Sequence, residues 1–269
     1  MLKINEAVNF IKSLYGGKPD VGIVLGSGLG SFTNEIEIEK EIPYGDIPHF
    51  PVSTVEGHSG KLIFGKLRGK KVVAMAGRFH LYEGYSSEQT VFPIRVLKFL
   101  GIDTLLISNA AGGVNPSFKV GDLMIIKDHI SQLAPNPLIG KNDKSLGPRF
   151  PDMSEPYKKH LIKKVKDIAA EKNINVREGV YVAVTGPTFE THAEYRMILA
   201  LGGDAVGMST VQEVITAVHM GLPVFAMSVI TDVGIRDDDN VITHEEVLQA
   251  AKEAEPNFKA LFCELIAQL

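Results

Sequence analysis

The stretch KVVAMAGRFHLYEGY, Lys71–Tyr85, runs from an apolar segment into a polar loop. Its first part, Lys71–Ala76, has the length and β-branched content of a buried strand. A cation and an imidazole, Arg78 and His80, follow at the carboxyl end, with Tyr82 and Tyr85 just beyond. In open α/β sheets that end of the strand is where ligands bind. An arginine fork matches phosphate or carboxylate, and a histidine two residues on can donate to the same anion or shuttle a proton. The stretch therefore predicts an α/β fold with an oxyanion site. The competing reading is a surface loop in which Arg78 caps a helix or pairs with Glu83.

Working outward, short apolar runs alternate with helical patterns. Further strands are predicted at Val21–Leu25, Lys61–Leu67, Thr104–Ser108, Asp122–Lys127, Gly179–Val184 and Pro223–Ile230. A helix over Glu155–Lys172, capped by Ser154, carries the stripe Leu161, Ile162, Val165, Ile168 and Ala169. Thr191 with Glu194, Ser209 with Gln212 and Thr243 with Glu246 read as openings of three more helices. Pro256 is expected to kink or split the last one. The stretch Ser131–Pro151, with four prolines, reads as a functional loop. The expectation is a single α/β domain over residues 1–269, with a mixed, largely parallel β-sheet flanked by helices.

Composition narrows the function. The chain has 269 residues, 45% hydrophobic and 22% charged, enough for a sizeable core. With 28 basic against 32 acidic residues and no basic run, a nucleic-acid partner is not expected. One cysteine, Cys263, excludes an internal disulfide framework and a cysteine zinc site, and fits a reducing, cytoplasmic setting. The amino-terminal MLKINEAVNFIKSLYGG reads as a short amphipathic helix without a cleavage pattern, and no apolar run reaches membrane-span length.

Several other strand ends carry polar or glycine-rich sequence. GSGLG, Gly26–Gly30, allows backbone amides to approach an anion, and Ser27 adds a hydroxyl. Ser31 stands where a dinucleotide fingerprint needs glycine or alanine, which disfavours a Rossmann dehydrogenase. NAAGG, Asn109–Gly113, suggests a backbone wall against a flat ligand, or close packing of two segments. In TGPTFET, Thr185–Thr191, Phe189 and Glu190 suit a heterocycle with N–H donors, or else serve as helix staple and first-turn charge. In AVGMST, Ala205–Thr210, Ser209 reads both as an N-cap and as an anion ligand. Asp232, in ITD, could accept from a ligand or cap a turn. His58 and His244 carry no signal alone, and RDDDN, Arg236–Asn240, lacks calcium-loop spacing.

Taken together, GSGLG, GRFHLYEGY, NAAGGVNP, GPTFET and DAVGMSTVQEV, in this order, resemble the trimeric class of purine nucleoside phosphorylases, from about Val21 to the last helix. The resemblance implies an enzyme, a pentosyltransferase of nucleoside metabolism and purine salvage. It cleaves purine ribo- or deoxyribonucleosides with inorganic phosphate to base and pentose 1-phosphate. No cofactor or metal is implied; phosphate is the co-substrate. Phosphate would meet Ser27, His58, Arg78, His80, Ala110 and Ser209. The sugar would meet Tyr82, Met208, His244 and, from a neighbouring subunit of a homotrimer, Phe150. The base would meet Phe189, Glu190, Val206, Thr231 and Asp232. His80, Glu190, Asp232 and His244 would be the catalytic set.

One departure bears on substrate. Where the family pattern has ITN, this chain has ITD, with Asp232. An ionised aspartate can only accept, which favours a 6-amino group, while the Phe189–Glu190 pair suits 6-oxopurines. A protonated Asp232 donating to N7 would reconcile the two, so 6-oxopurine nucleosides are expected as substrates and adenosine as a further one. The related methylthioadenosine phosphorylases also have aspartate here. They remain an alternative, against which His244 argues, since it suits a 5′-hydroxyl. A non-catalytic nucleoside- or phosphate-binding domain is the alternative of another class.

Overall fold

The apolar runs become strands, and their length decides where the polar residues end up. The computed structural model describes residues 1–55, 59–234 and 243–269. Its strands are β1 (Val21–Val24), β2 (Glu37–Pro43), β3 (Lys61–Leu67), β4 (Lys70–Ala76), β5 (Thr104–Gly113), β6 (Leu123–Ile130), β7 (Val176–Ala183), β8 (Ala205–Gly207) and β9 (Val224–Val233). Its helices are α1 (Leu2–Leu14), α2 (Ser87–Thr90), α3 (Phe92–Leu100), α4 (Lys159–Glu171), α5 (His192–Ala200), α6 (Val211–His219) and α7 (His244–Ala267).

The sheet order is β2-β3-β4-β1-β5-β8-β7-β6-β9, and β9 also pairs with β5. The five strands from β5 to β9 therefore close into a ring, and β1 to β4 extend from it through β5. The sheet is mixed. β1 lies parallel to β4 and β5, and β5–β9, β6–β7 and β7–β8 are parallel. The β2–β3, β3–β4, β5–β8 and β6–β9 pairs are antiparallel. Ring closure removes two sheet edges that would otherwise need covering.

Two strands have no apolar signature in the sequence. β2, EIEKEIP, is an edge strand with only Ile42 buried, and its charges are those of a solvated edge. β8 has three residues, too few for periodicity to register.

The expected capping boxes at Thr191/Glu194 and Thr243/Glu246 open α5 and α7. The Ser154 cap does not form. Its hydroxyl donates instead to Asp152 Oδ2 at 2.7 Å, and α4 begins only after Lys158, beyond Pro156. The predicted α4 stripe is buried throughout. α7 runs continuously through Pro256, so the proline does not split it. The lost backbone bond is outweighed because both halves pack on the same core, through Ala251 and Ala254 before the proline and Phe258, Leu261 and Phe262 after it. The stretch between β6 and α4 contains no helix or strand. It is held by Arg149 Nη1, which donates to Leu138 O and Gly140 O at 3.2 and 2.8 Å, and by His219 Nε2 against Pro148 O at 3.0 Å.

A continuous apolar core runs from Ile4 on α1 to Ile266 on α7. Phe262 is fully buried, with ring centroids 4.2 Å from Phe258, 5.9 Å from Phe225 and 6.0 Å from Phe32. Phe262→Ala should therefore cost about 3–5 kcal/mol, read as a lower midpoint in urea unfolding.

Candidate active site

The carboxyl ends of β4, β5 and β9 and the turns before α5 and α6 surround a cavity of about 490 Å³. Ser27, Arg78, His80, Tyr82, Ala110, Phe189, Glu190, Val206, Met208, Ser209, Thr231, Asp232 and His244 all line it. Among the expected residues two stand apart. His58 lies outside the described residues. Phe150 is 88% exposed, sits by a second cavity with Ile139 and Arg149, and has the Arg149 guanidinium 5.8 Å from its ring centroid. The acidic run Arg236–Asn240 also lies outside the described residues. Among the described residues, no group of three or more His, Cys, Asp or Glu is gathered as for a metal ion.

Arg78 is 1% exposed. Its Nε and Nη2 donate to the two carboxylate oxygens of Glu213 on α6, at 3.1 and 3.0 Å. Nη1 donates to Ser108 O at 2.7 Å and to Ser209 Oγ at 3.3 Å. The alternative pairing with Glu83 is overturned; the partner is Glu213, distant in sequence. The bidentate pair fixes the plane of the guanidinium and offsets much of its charge. The guanidinium is thus held rigidly at the edge of the cavity.

Glu83 has a different task. Its Oε1 accepts from His80 N at 2.8 Å and contacts His80 Nδ1 at 3.0 Å. Its Oε2 accepts from Thr54 N and Oγ1 at 2.8 and 2.7 Å. Burial alone would raise its pKa, but these bonds together hold it down at about 2. Burial lowers the pKa of His80, against the pull of Glu83. Glu83 thus holds the His80 ring by Nδ1 where the imidazole lines the cavity. The His80 ring stacks on Tyr82 at 4.6 Å and 15°, which fixes both rings.

Ser209 does not cap α6. The cap position is Thr210, at φ 72° and ψ −56°, and Val211 N donates back to Ser209 O at 2.8 Å. This is a tight three-residue turn, strained for a β-branched residue. Asn109 Nδ2 holds it by donating to Thr210 Oγ1 at 2.8 Å. The turn directs the Ser209 hydroxyl toward Arg78 and away from the helix end.

A bulge shapes the other wall. In the β5–β9 ladder Ala111 faces Ile230 but Gly112 faces Asp232, so Thr231 is the extra residue. An extra residue breaks the alternation of faces, and Thr231 and Asp232 both reach the cavity. Thr231 Oγ1 donates to Asp232 Oδ1 at 3.2 Å, and Tyr195 OH donates to Asp232 Oδ2 at 3.3 Å. Burial, with Asp232 and Glu194 nearby, raises the pKa of Glu190. Tyr195 and Glu213 were not singled out from the sequence. Tyr195 falls inside a helix pattern where an aromatic reads as core, and nothing local links Glu213 to Arg78.

The sequence profile described as the phosphorylase superfamily matches residues 20–267. Purine nucleoside phosphorylase 1 of Geobacillus stearothermophilus is 54% identical over 255 residues, 95% of this chain and 93% of that protein. The purine nucleoside phosphorylase of Rattus norvegicus is 48% identical, over 93% of this chain and 89% of that one. A Schistosoma mansoni purine nucleoside phosphorylase in complex with adenosine superposes with a TM-score of 0.95 at 43% identity, covering 100% of this chain and 98% of that one. The chain belongs to the purine nucleoside phosphorylase family. Its α/β fold is that of the purine nucleoside phosphorylases, and its reaction moves a pentosyl group from a purine nucleoside to phosphate.

Two outcomes follow from the buried pairs. Arg78→Ala leaves the Glu213 carboxylate buried and unpaired, so it should destabilise the phosphorylase fold by about 3–5 kcal/mol, seen as a lower midpoint in urea unfolding. Glu83, held at about 2 against an ordinary 4.5, contributes stability above pH 4.5 that is lost as pH falls toward 2. Glu83→Gln should lower stability at neutral pH and flatten its fall between those two pH values, measured by urea unfolding across the range.

Proposed function

We propose that the cavity holds phosphate and a purine nucleoside together, with the roles divided between its two groups of side chains. Ser27, Arg78, His80, the backbone of Ala110 and Ser209 would hold phosphate, with His58 added from the family pattern. Tyr82, Met208 and His244 would meet the sugar. Phe189, Val206 and Thr231 would enclose the base, and Glu190 and Asp232 would read its edge. The observation that carries this reading is that a guanidinium fixed by Glu213, an imidazole held by Glu83 and two carboxylates all face one cavity beside a partly exposed aromatic ring.

The chemistry follows from that arrangement. Breaking the glycosidic bond makes the sugar cation-like and leaves negative charge on the purine. A phosphate placed by Arg78 and Ser209 stabilises the cation and then attacks it. With a 6-oxopurine, a proton on Asp232 would donate to N7 and offset the negative charge of the leaving base. Positioning and electrostatics supply most of the acceleration, and Ser27 is a ligand, not a nucleophile.

Phosphorolysis of 6-oxopurine nucleosides and of adenosine is proposed, the latter through Asp232. In support, Schistosoma mansoni relatives of 43% and 42% identity have been crystallised with adenosine and with hypoxanthine. Base release from inosine and adenosine, with and without phosphate, tests both points. Release should require phosphate and occur with both nucleosides; no adenosine cleavage would end the broadened specificity. Asp232→Asn should then lower adenosine use relative to inosine by about 1–3 kcal/mol, the scale of one mispaired buried group.

The same proposal includes a homotrimer in a cytoplasmic setting. The exposure of Phe150 outside its own chain's cavity supports delivery to a neighbour's site, and the single, buried Cys263 fits a reducing compartment. Phe150→Ala should raise the nucleoside KM about tenfold or more, the scale of one buried aromatic contact, in an enzyme whose mass by light scattering is that of a trimer.

A further inference from the structure

Three titratable groups meet in one wall of the cavity: Glu190 before α5, Tyr195 on α5 and Asp232 on β9. The Tyr195 hydroxyl donates to Asp232 Oδ2 at 3.3 Å, and the Glu190 carboxylate stands close by in the same cavity wall. Its place is built in. A Cβ on Gly234 would lie 2.0 Å from the Tyr195 ring, and one on Gly112 would lie 3.0 Å from Asp232 Oδ2 and 3.4 Å from the Tyr195 hydroxyl. The ring is buried among Val114, Val182, Ile198 and Val206. Burial, then the two carboxylates, push the phenol pKa far above its ordinary value, so Tyr195 always keeps one proton to donate. Glu190 is pushed upward by burial and then by its neighbours Asp232 and Glu194. Carboxylates that interact strongly share their protons as a pair. Among the described residues, His244 on α7 also lines this cavity, and Glu194 on α5 acts on Glu190 through its charge.

We propose that Glu190, Tyr195 and Asp232 form a one-proton unit in which the Tyr195 hydroxyl donates to whichever carboxylate is ionised, letting one site take both 6-oxo- and 6-aminopurines. This rests on the base-binding reading above. A 6-oxopurine presents N1–H, which needs Glu190 ionised, while the proton on Asp232 donates to N7. A 6-aminopurine presents a lone pair at N1 and N–H donors at the 6-position. Glu190 then carries the proton and donates to N1, and Asp232 accepts from the amino group. In the free site Asp232 passes its proton to the Tyr195 oxygen as Tyr195 passes its own to Glu190. The proton count is the same before and after. Tyr195 is a positioning residue, since it acts through the two carboxylates.

Calorimetric titration of the whole enzyme with hypoxanthine and with adenine, each in two buffers of different ionisation heat, reads the protons exchanged on binding. Equal exchange for the two bases is expected. Uptake of about one more proton with adenine would overturn the proposal. Failure of adenine to bind would instead overturn the 6-amino reading on which the proposal stands. Tyr195→Phe keeps the ring and removes only the hydroxyl. It should lower kcat/KM for inosine and adenosine by a similar factor, roughly tenfold. It should also move the acid limb of both pH profiles upward, because the ionised carboxylate loses a donor. A loss confined to one nucleoside, or an acid limb that stays in place, would overturn the proposal.

Discussion

The buried ion pair between Arg78 and Glu213 joins the end of β4 to the first turn of α6, and the rest of the site is arranged around it. A charge 1% exposed cannot stand alone in a core. Glu213 neutralises it in bidentate geometry, and Ser108 O on β5 takes a further N–H. The guanidinium is therefore fixed by three elements before any ligand arrives. Ser209, the tight turn at Thr210 and Asn109 follow from that anchor. Preorganisation of this kind suits a reaction whose barrier is lowered mainly by placing two substrates and stabilising charge.

The second constraint is the pairing of β5 with β9. Both strands run past the apolar core and carry their polar ends into the cavity. Gly112, opposite Asp232, leaves the room that the carboxylate and the Tyr195 hydroxyl occupy. The bulge at Thr231 turns two consecutive side chains inward, which regular strand geometry forbids. A group with a locked cation and a group with two carboxylates thus share one pocket, each held by partners the other does not use. The division matches a reaction with an anionic nucleophile on one side and a leaving group that gains negative charge on the other.

Much of this was written locally. The runs at Lys61–Leu67 and Lys71–Ala76 read as strands because burial of both faces demands continuous apolar sequence. The boxes at Thr191/Glu194 and Thr243/Glu246 read as helix starts because capping is satisfied within four residues. The polar segments at strand ends marked nearly every cavity-lining residue, since chemistry concentrates where strands stop. The edge strand β2, the cap attributed to Ser154 and the passage of α7 through Pro256 were not legible. Each is decided by what packs against the segment and not by the segment's own pattern.

The same division separates what each residue is from what it does. The sequence by itself determined the alternation of strands and helices, and which side chains stand at the strand ends, because periodicity and capping act over a few residues. Only the tertiary structure decided that Arg78 pairs with Glu213 and not with Glu83, that Ser209 faces the cavity and not its own helix, and that Tyr195 lies between two carboxylates. Those partners lie far apart along the chain, and the pairing of buried charge is settled by which of them the closed sheet brings within hydrogen-bonding distance.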